Sequence, residues 1–163
     1  LKNFDVRILA FDPFLPDEKA KELGVEKVTL EELFASSQVI SNHLANNPQT
    51  AGMLDYHLFH LMRKTAAFVN TGRGAQVVEA DLVRAMQEEP LRSAVLDVTT
   101  KEPYPDDGPF RTLDNVFMLP HIAGFAEQDV LRFSDWVIRQ LERYQNGKPV
   151  ENIVTEKRLE TMA

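Results

Sequence analysis

Three side chains that can do acid–base and anion chemistry stand just past three different apolar runs: Arg73, Glu102 and His121. A guanidinium grips a carboxylate through two parallel hydrogen bonds and fixes its plane. A histidine beside a carboxylate stays protonated nearer neutral pH and can donate to, or take from, a carbonyl or alcohol oxygen. Together the three suit a 2-oxo or 2-hydroxy acid, whose carboxylate and reacting oxygen are adjacent. Taken singly each is ordinary: an arginine on a turn, a glutamate in a polar loop, a histidine after a strand. Their joint position at strand ends favours the chemical reading.

The elements that must position them follow from the apolar pattern. Val6–Phe11 is a short apolar run stopped by Asp12-Pro13, a buried strand. Pro16–Leu23 reads as a helix with proline in its first turn and Gly24 just past its end. Thr29-Leu30-Glu31-Glu32 has capping-box spacing and starts a helix through Phe34. Further strands are expected at 38–44, 66–70, 93–98 and 116–120, with helices at 55–63 and 79–89. A long amphipathic helix follows, with Val130, Phe133, Val137, Leu141 and Tyr144 on one stripe and Gly147 as its stop. Strands alternating with helices, and apolar throughout, predict an α/β doubly wound parallel sheet covered on both faces. In such sheets ligands bind outside the carboxyl ends of the strands, where Asp12, His43, the turn Asn70–Gly74, Asp97 and the run His121–Gly124 all stand.

Composition narrows the partners. The 163 residues are 44% hydrophobic and 26% charged, as in an ordinary folded domain, and the net charge is −7. So acidic a chain is repelled by phosphate backbones and anionic lipid, which speaks against nucleic acid and membrane surfaces. The absence of cysteine removes disulfides, thiolate zinc sites and cysteine nucleophiles, and fits a cytoplasmic protein. No apolar run approaches the roughly 20 residues of a membrane span. The chain opens at Leu1-Lys2-Asn3-Phe4 without methionine and soon enters a strand, as a sequence joined partway through a domain would.

Three ordered segments carry a resemblance: Phe68-Val69-Asn70-Thr71-Gly72-Arg73-Gly74, then Ala94–Val98 with Glu102-Pro103, then Asn115-Val116 through His121-Ile122-Ala123-Gly124. Their order and spacing resemble the signatures of the D-2-hydroxyacid dehydrogenases, over nearly the whole chain. The resemblance implies a partial dinucleotide-binding domain over residues 1–150 and a tail, 151–163, leading toward a substrate domain. It implies NAD as cofactor, a small 2-hydroxy or 2-oxo acid as substrate, and a homodimer. Arg73 would bind the substrate carboxylate, His121 would be the general acid in reduction, and Glu102 would hold its imidazole. Asp97, with the backbone around Thr71 and Gly72, would position the nicotinamide carboxamide. Asp12 would accept from the adenosine ribose hydroxyls and, by repelling a 2′-phosphate, favour NAD over NADP. Asn47 and Gly124 complete the expected cofactor contacts.

The chain departs from the family pattern in two places. Ala45 and Asn47 stand where the family usually has proline and threonine after His43; His43, His57 and His60 read as structural or surface residues. The Gly-x-Gly-x-x-Gly turn that holds a pyrophosphate is absent, and none of the seven glycines restores it. In the 3-2-1-4-5-6 strand order the strand before that turn is central, so a gap is expected between the second and fourth strands, and an unstable, inactive isolated segment with it. Three rival readings stand beside the enzyme: an NAD-responsive corepressor with the same three residues, a catalytically dead remnant kept for oligomerisation, and a receiver-type signalling module. The last would need an acidic cluster and a lysine ending its final strand, where this chain has Pro120-His121.

Overall fold

A computed structural model of the chain describes residues 1, 3–124 and 128–159; the last residues of the expected tail lie outside this set. Six strands and six α-helices run along the described chain, alternating as far as the fifth strand. They are β1 (Leu9–Ala10), α1 (Asp17–Leu23), β2 (Glu26–Lys27), α2 (Leu30–Ser36), β3 (Val39–Asn42) and α3 (Tyr56–Leu61). Then come β4 (Ala67–Asn70), α4 (Glu79–Glu88), β5 (Ser93–Leu96), β6 (Val116–Met118), α5 (Gln128–Gln145) and α6 (Glu156–Leu159).

Local chemistry sets the helix ends where the sequence placed them. Pro16 is the N-cap of α1, and Gly24 ends it in the left-handed region at φ 71°, a conformation that costs glycine nothing. Thr29 caps α2 by accepting from the Glu32 amide at 3.1 Å, satisfying one of the orphan donors of the first turn. Asp55 does the same for α3 through the Leu58 amide.

The strands form two separate parallel sheets, β1–β2 and β3–β4–β5–β6. Register puts Ile40, Phe68, Ala94 and Val116 in one row of the larger sheet and Asn42, Asn70, Leu96 and Met118 in the next. Both rows face the core under α2, α3 and α4, where Phe34, Phe59 and Phe68 meet at centroid distances of 5.1–6.4 Å. Edge-to-face ring pairs of this kind add roughly 0.5–1.5 kcal/mol to area burial. The parallel α/β reading holds, with one difference. Among the described residues the opposite face stays open: Val39 and Phe117 are exposed, and α5 has no buried residue.

The Val6–Phe11 run yields only the two paired residues of β1, because its ladder partner β2 is itself two residues long. Between β1 and β3 lies a cavity of about 950 Å³, walled by Leu9, Phe34, Ile40 and Phe68 and rimmed by Asp12 and Asn47. It sits where the strand order led us to expect a gap.

Arg92 ties α3 and α4 to the sheet. It is buried, and its guanidinium donates to the carbonyls of His60 (3.0 Å), Met62 (2.6 Å) and Ala85 (3.3 Å), at or near helix C-terminal ends where partial negative charge collects. Its Nε has no partner, and no described carboxylate pairs with it. Arg92→Met keeps the apolar stem but orphans these carbonyls, each worth about 1–3 kcal/mol. A urea melt of the complete protein is expected to show a loss of about 3 kcal/mol; an unchanged midpoint would show that water replaces the guanidinium.

Candidate active site

The ends of β4, β5 and β6 lie side by side, so the loops that follow them share one rim. The β5 loop carries Glu102 and the β6 loop carries His121. The two meet: His121 Nδ1 lies 2.7 Å from Glu102 Oε2. A carboxylate only accepts, so Nδ1 carries the proton and donates, and Nε2 has no partner among the described residues. Glu102 is itself held, because its Oε1 accepts from the Thr99 amide at 3.1 Å. The hydrogen bond from His121, helped by that of Thr99, holds the Glu102 carboxyl below the usual carboxylate range against the opposing effect of burial.

His121 has a left-handed backbone, φ 57°, which is uncommon for a residue with a side chain and concentrates at functional positions. Asp97 enforces it. This aspartate, only 3% exposed at the end of β5, accepts from the Ile122 amide through Oδ1 and from the Ala123 amide through Oδ2, both at 2.8 Å. Both its oxygens are used to fasten the loop that carries His121. These bonds use one lone pair of each oxygen, so the expected contact from Asp97 to a nicotinamide carboxamide stays open beside them.

Arg73 stands on the turn after β4. Its side chain is exposed, Nη1 donates to the Gly72 carbonyl at 2.7 Å, and it makes no ion pair among the described residues. A cation held by backbone contacts and lacking a counter-charge is ready to receive an anion. Gly74 brings this turn against the β5 loop, since a Cβ there would overlap the backbone of Thr99 and Thr100. The Thr100 amide is in turn fixed by Glu79 Oε1 at 2.6 Å, from the first turn of α4.

The remaining expected residues are spread along the rim. Asp12 is exposed at the mouth of the cavity beside β1, where its Oδ1 accepts from the Phe14 amide at 2.8 Å and its second oxygen is open. Asn47 lines the same cavity and folds its own turn by accepting from the Gln49 and Thr50 amides. Thr71 and Gly72 are half-buried beside Arg73. Gly124 lies apart, next to Asp129 and Trp136 of α5, with open space where a Cβ would be. The structure therefore joins Glu102 and His121 directly, ties Asp97 to the two residues after His121, sets Arg73 on the adjoining loop, and places Asp12 and Asn47 at the cavity. A ribose diol would meet a carboxylate acceptor at Asp12, so the donor set fits a dinucleotide at its adenosine end.

The sequence reading missed the buried amides beneath Arg73. Asn42, Asn70 and Gln76 are at most 4% exposed and hydrogen-bonded to one another. A signal existed: asparagines closing two adjacent strands have the same phase and fall side by side in a parallel register.

Comparison with known proteins identifies the family. Residues 1–123 match the family described as D-isomer specific 2-hydroxyacid dehydrogenase, NAD binding domain, and the chain belongs to that family. The D-3-phosphoglycerate dehydrogenase of Archaeoglobus fulgidus is 35% identical over 153 residues, which cover 94% of this chain and 29% of that protein. The glyoxylate reductase of Korarchaeum cryptofilum is 35% identical over 156 residues, covering 96% and 47%. The chain thus spans less than half the length of these relatives. Among solved structures, the D-mandelate dehydrogenase of Rhodotorula graminis superposes with a TM-score of 0.82 at 27% identity, covering 93% of this chain and 44% of that one. A D-isomer specific 2-hydroxyacid dehydrogenase from Xanthobacter autotrophicus Py2, in complex with NADPH and MES, gives 0.74 at 30% identity, with 96% and 63% covered.

Proposed function

We propose that residues 1–150 are the dinucleotide-binding part of an oxidoreductase that moves a hydride between NAD(H) and a small D-2-hydroxy or 2-oxo acid. The observation that carries this is the tethered pair, His121 Nδ1 on Glu102, with the uncompensated Arg73 on the turn that Gly74 packs against the loop of Glu102. In reduction Arg73 binds the substrate carboxylate and fixes its plane. The His121 ring, protonated at both nitrogens, then donates its Nε2 proton to the oxygen of the reacting carbonyl and is left as the Nδ1–H tautomer, whose bare Nε2 takes that proton back in oxidation. Glu102 keeps the Nδ1 proton in place throughout, and Asp97 holds the backbone that aims the ring. NADH, when bound, supplies the hydride.

Asp12 supports NAD over NADP, because a carboxylate at the cavity mouth repels a 2′-phosphate. Asn47, Thr71, Gly72 and Asp97 are proposed as further cofactor contacts from their places on the same rim, and Gly124 as a more distant one. A homodimer is supported by α5, which leaves Val130, Val137 and Leu141 exposed; a monomer mass by light scattering would overturn it. A cytoplasmic location rests on the lack of cysteine, together with no described helix being long and apolar enough to cross a membrane.

The test is NADH oxidation by the complete protein with a panel of 2-oxo acids. Arg73→Ala removes a charge-assisted contact of about 1.5–3 kcal/mol. It is expected to raise KM for the acid about 10–100-fold while NADH binding persists. No turnover with any 2-oxo acid, or an unchanged KM in the variant, would overturn the reading.

A further inference from the structure

The site as described leaves one buried polar cluster without a task. At the ends of β3 and β4, Asn42 Nδ2 donates to Asn70 Oδ1 at 3.0 Å and to Gln76 Oε1 at 2.6 Å. Gln76 is fully buried, and its two ends reach in different directions. Oε1 accepts from the backbone amide of Arg73 at 3.1 Å. Nε2 donates to the carbonyls of Leu44 (2.6 Å) and Ala45 (3.0 Å), in the loop that runs on to Asn47. Asn70 closes the other side of the turn, donating to the Arg73 carbonyl at 3.3 Å and accepting from the Gly72 amide at 3.1 Å. Even the Gln76 backbone takes part, since its carbonyl accepts from Leu54 at 2.9 Å.

Buried amides are costly unless every donor and acceptor is paired, and satisfied networks in a low dielectric are stiff. An apolar side chain of similar volume would fill this space without directional bonds. The amides here tie the backbone of Arg73, on the substrate side, to the Leu44–Ala45 backbone, on the cavity side. The two loops come from different strands, and Gln76 is the residue that bonds to both.

We propose that Gln76, supported by Asn42 and Asn70, is a positioning residue that sets Arg73 and the loop after β3 in a fixed relation, so that carboxylate binding and cofactor binding depend on one set of hydrogen bonds. This rests on the reading of Arg73 as the carboxylate-binding group. Gln76 touches neither substrate nor cofactor. Its action is to hold the Arg73 amide and the Ala45 carbonyl at a spacing that strand pairing alone does not fix beyond Asn42 and Asn70.

The experiment compares Gln76→Met, Asn42→Leu and Arg73→Ala in the complete protein. It measures KM and kcat for a 2-oxo acid, the pH profile of kcat, and NADH dissociation by isothermal titration without acid. Gln76→Met is expected to raise KM about tenfold and the NADH dissociation constant several-fold, with kcat falling less and the pH profile, which reports His121 and Glu102, unmoved. Asn42→Leu leaves the bonds from Gln76 to Arg73 and Ala45 in place and should shift both constants the same way by less. It decides the matter if Gln76→Met does not fold. Folded variants with both constants unchanged overturn the proposal, as does a loss confined to kcat or a shift in only one constant. If Arg73→Ala itself leaves KM unchanged, the carboxylate reading fails instead; if it raises KM and the amide variants do not, only the positioning role is lost.

Discussion

Replacing His121 with alanine is expected to lower kcat/KM for a 2-oxo acid by about 10²–10⁴-fold, the range of a positioned general acid. NADH should still bind, because the ring makes no contact with the cavity at Asp12 and Asn47. The structure gives the reason for so large an effect. The imidazole is held at one end by Glu102 at 2.7 Å, and its backbone is fastened behind by Asp97, so the proton-bearing geometry exists before substrate arrives. A loss below tenfold, measured by steady-state NADH oxidation, would mean that solvent or another group delivers the proton.

The partner carboxylate sets the acid limit of that activity. Glu102 is held ionised chiefly by the His121 hydrogen bond, so its folded value lies below the ordinary one. For a group depressed in this way, the favourable contribution is complete above the ordinary glutamate range. It is lost as pH falls through the lower folded value. Both side chains of the pair are 40–46% exposed, so solvent screens the interaction, and little global stability depends on it. What depends on it is the tautomer and aim of the ring. Activity should therefore persist to a lower pH than an unperturbed glutamate would allow. Glu102→Gln should cost on the order of 10²-fold in kcat, because an amide can turn its NH₂ toward Nδ1 and favour the wrong tautomer. A wild-type rate at neutral pH in that variant would contradict the tether.

How much of this could be read beforehand differs from residue to residue. Gly24, Thr29 and Pro16 announce helix ends because capping is a local interaction spanning a few residues, and the structure places all three as caps. Arg73, Glu102 and His121 were legible as residues past strand ends, since a parallel sheet brings successive strand ends to one rim. The task of Asp97 was not, because it depends on a loop 25 positions later folding back over β5. Strand β2 escaped notice for another reason: Glu26 and Lys27 offer no apolar pattern, and they are a strand only because β1 lies beside them. Gln76 was hidden by its neighbours, an isolated amide before two valines. Its meaning lies in carbonyls more than 30 residues away.

Gly74→Ala is expected to damage both fold and activity through a single methyl group. The added Cβ would overlap the Thr99 carbonyl and the Thr100 amide, which are backbone and cannot swing aside as a side chain would. Those peptide groups are not free to retreat. Thr100 is fixed to Glu79 at 2.6 Å and Thr99 to Glu102 at 3.1 Å. Relief must therefore move the Arg73 turn away from the β5 loop or drag Glu102 from His121. Overpacking of this kind costs about 1–3 kcal/mol, sometimes more. A displacement near 1 Å at a catalytic group costs about 10²-fold in rate. The complete protein should thus melt several degrees lower and lose about 10²-fold in kcat/KM. Gly124→Ala, with open space around its Cβ, should leave the melting temperature unchanged. At Gly72 a Cβ would press on the amide ends of Gln76 and Asn42 at 2.9–3.0 Å, a lesser overlap than that with the Thr99 and Thr100 backbone at Gly74, so its alanine variant should fall between the two. If Gly74→Ala matched the wild type in both measurements, the two loops would not be in register through this glycine. The approach of the Arg73 turn to the loop that carries Glu102 would then need another cause.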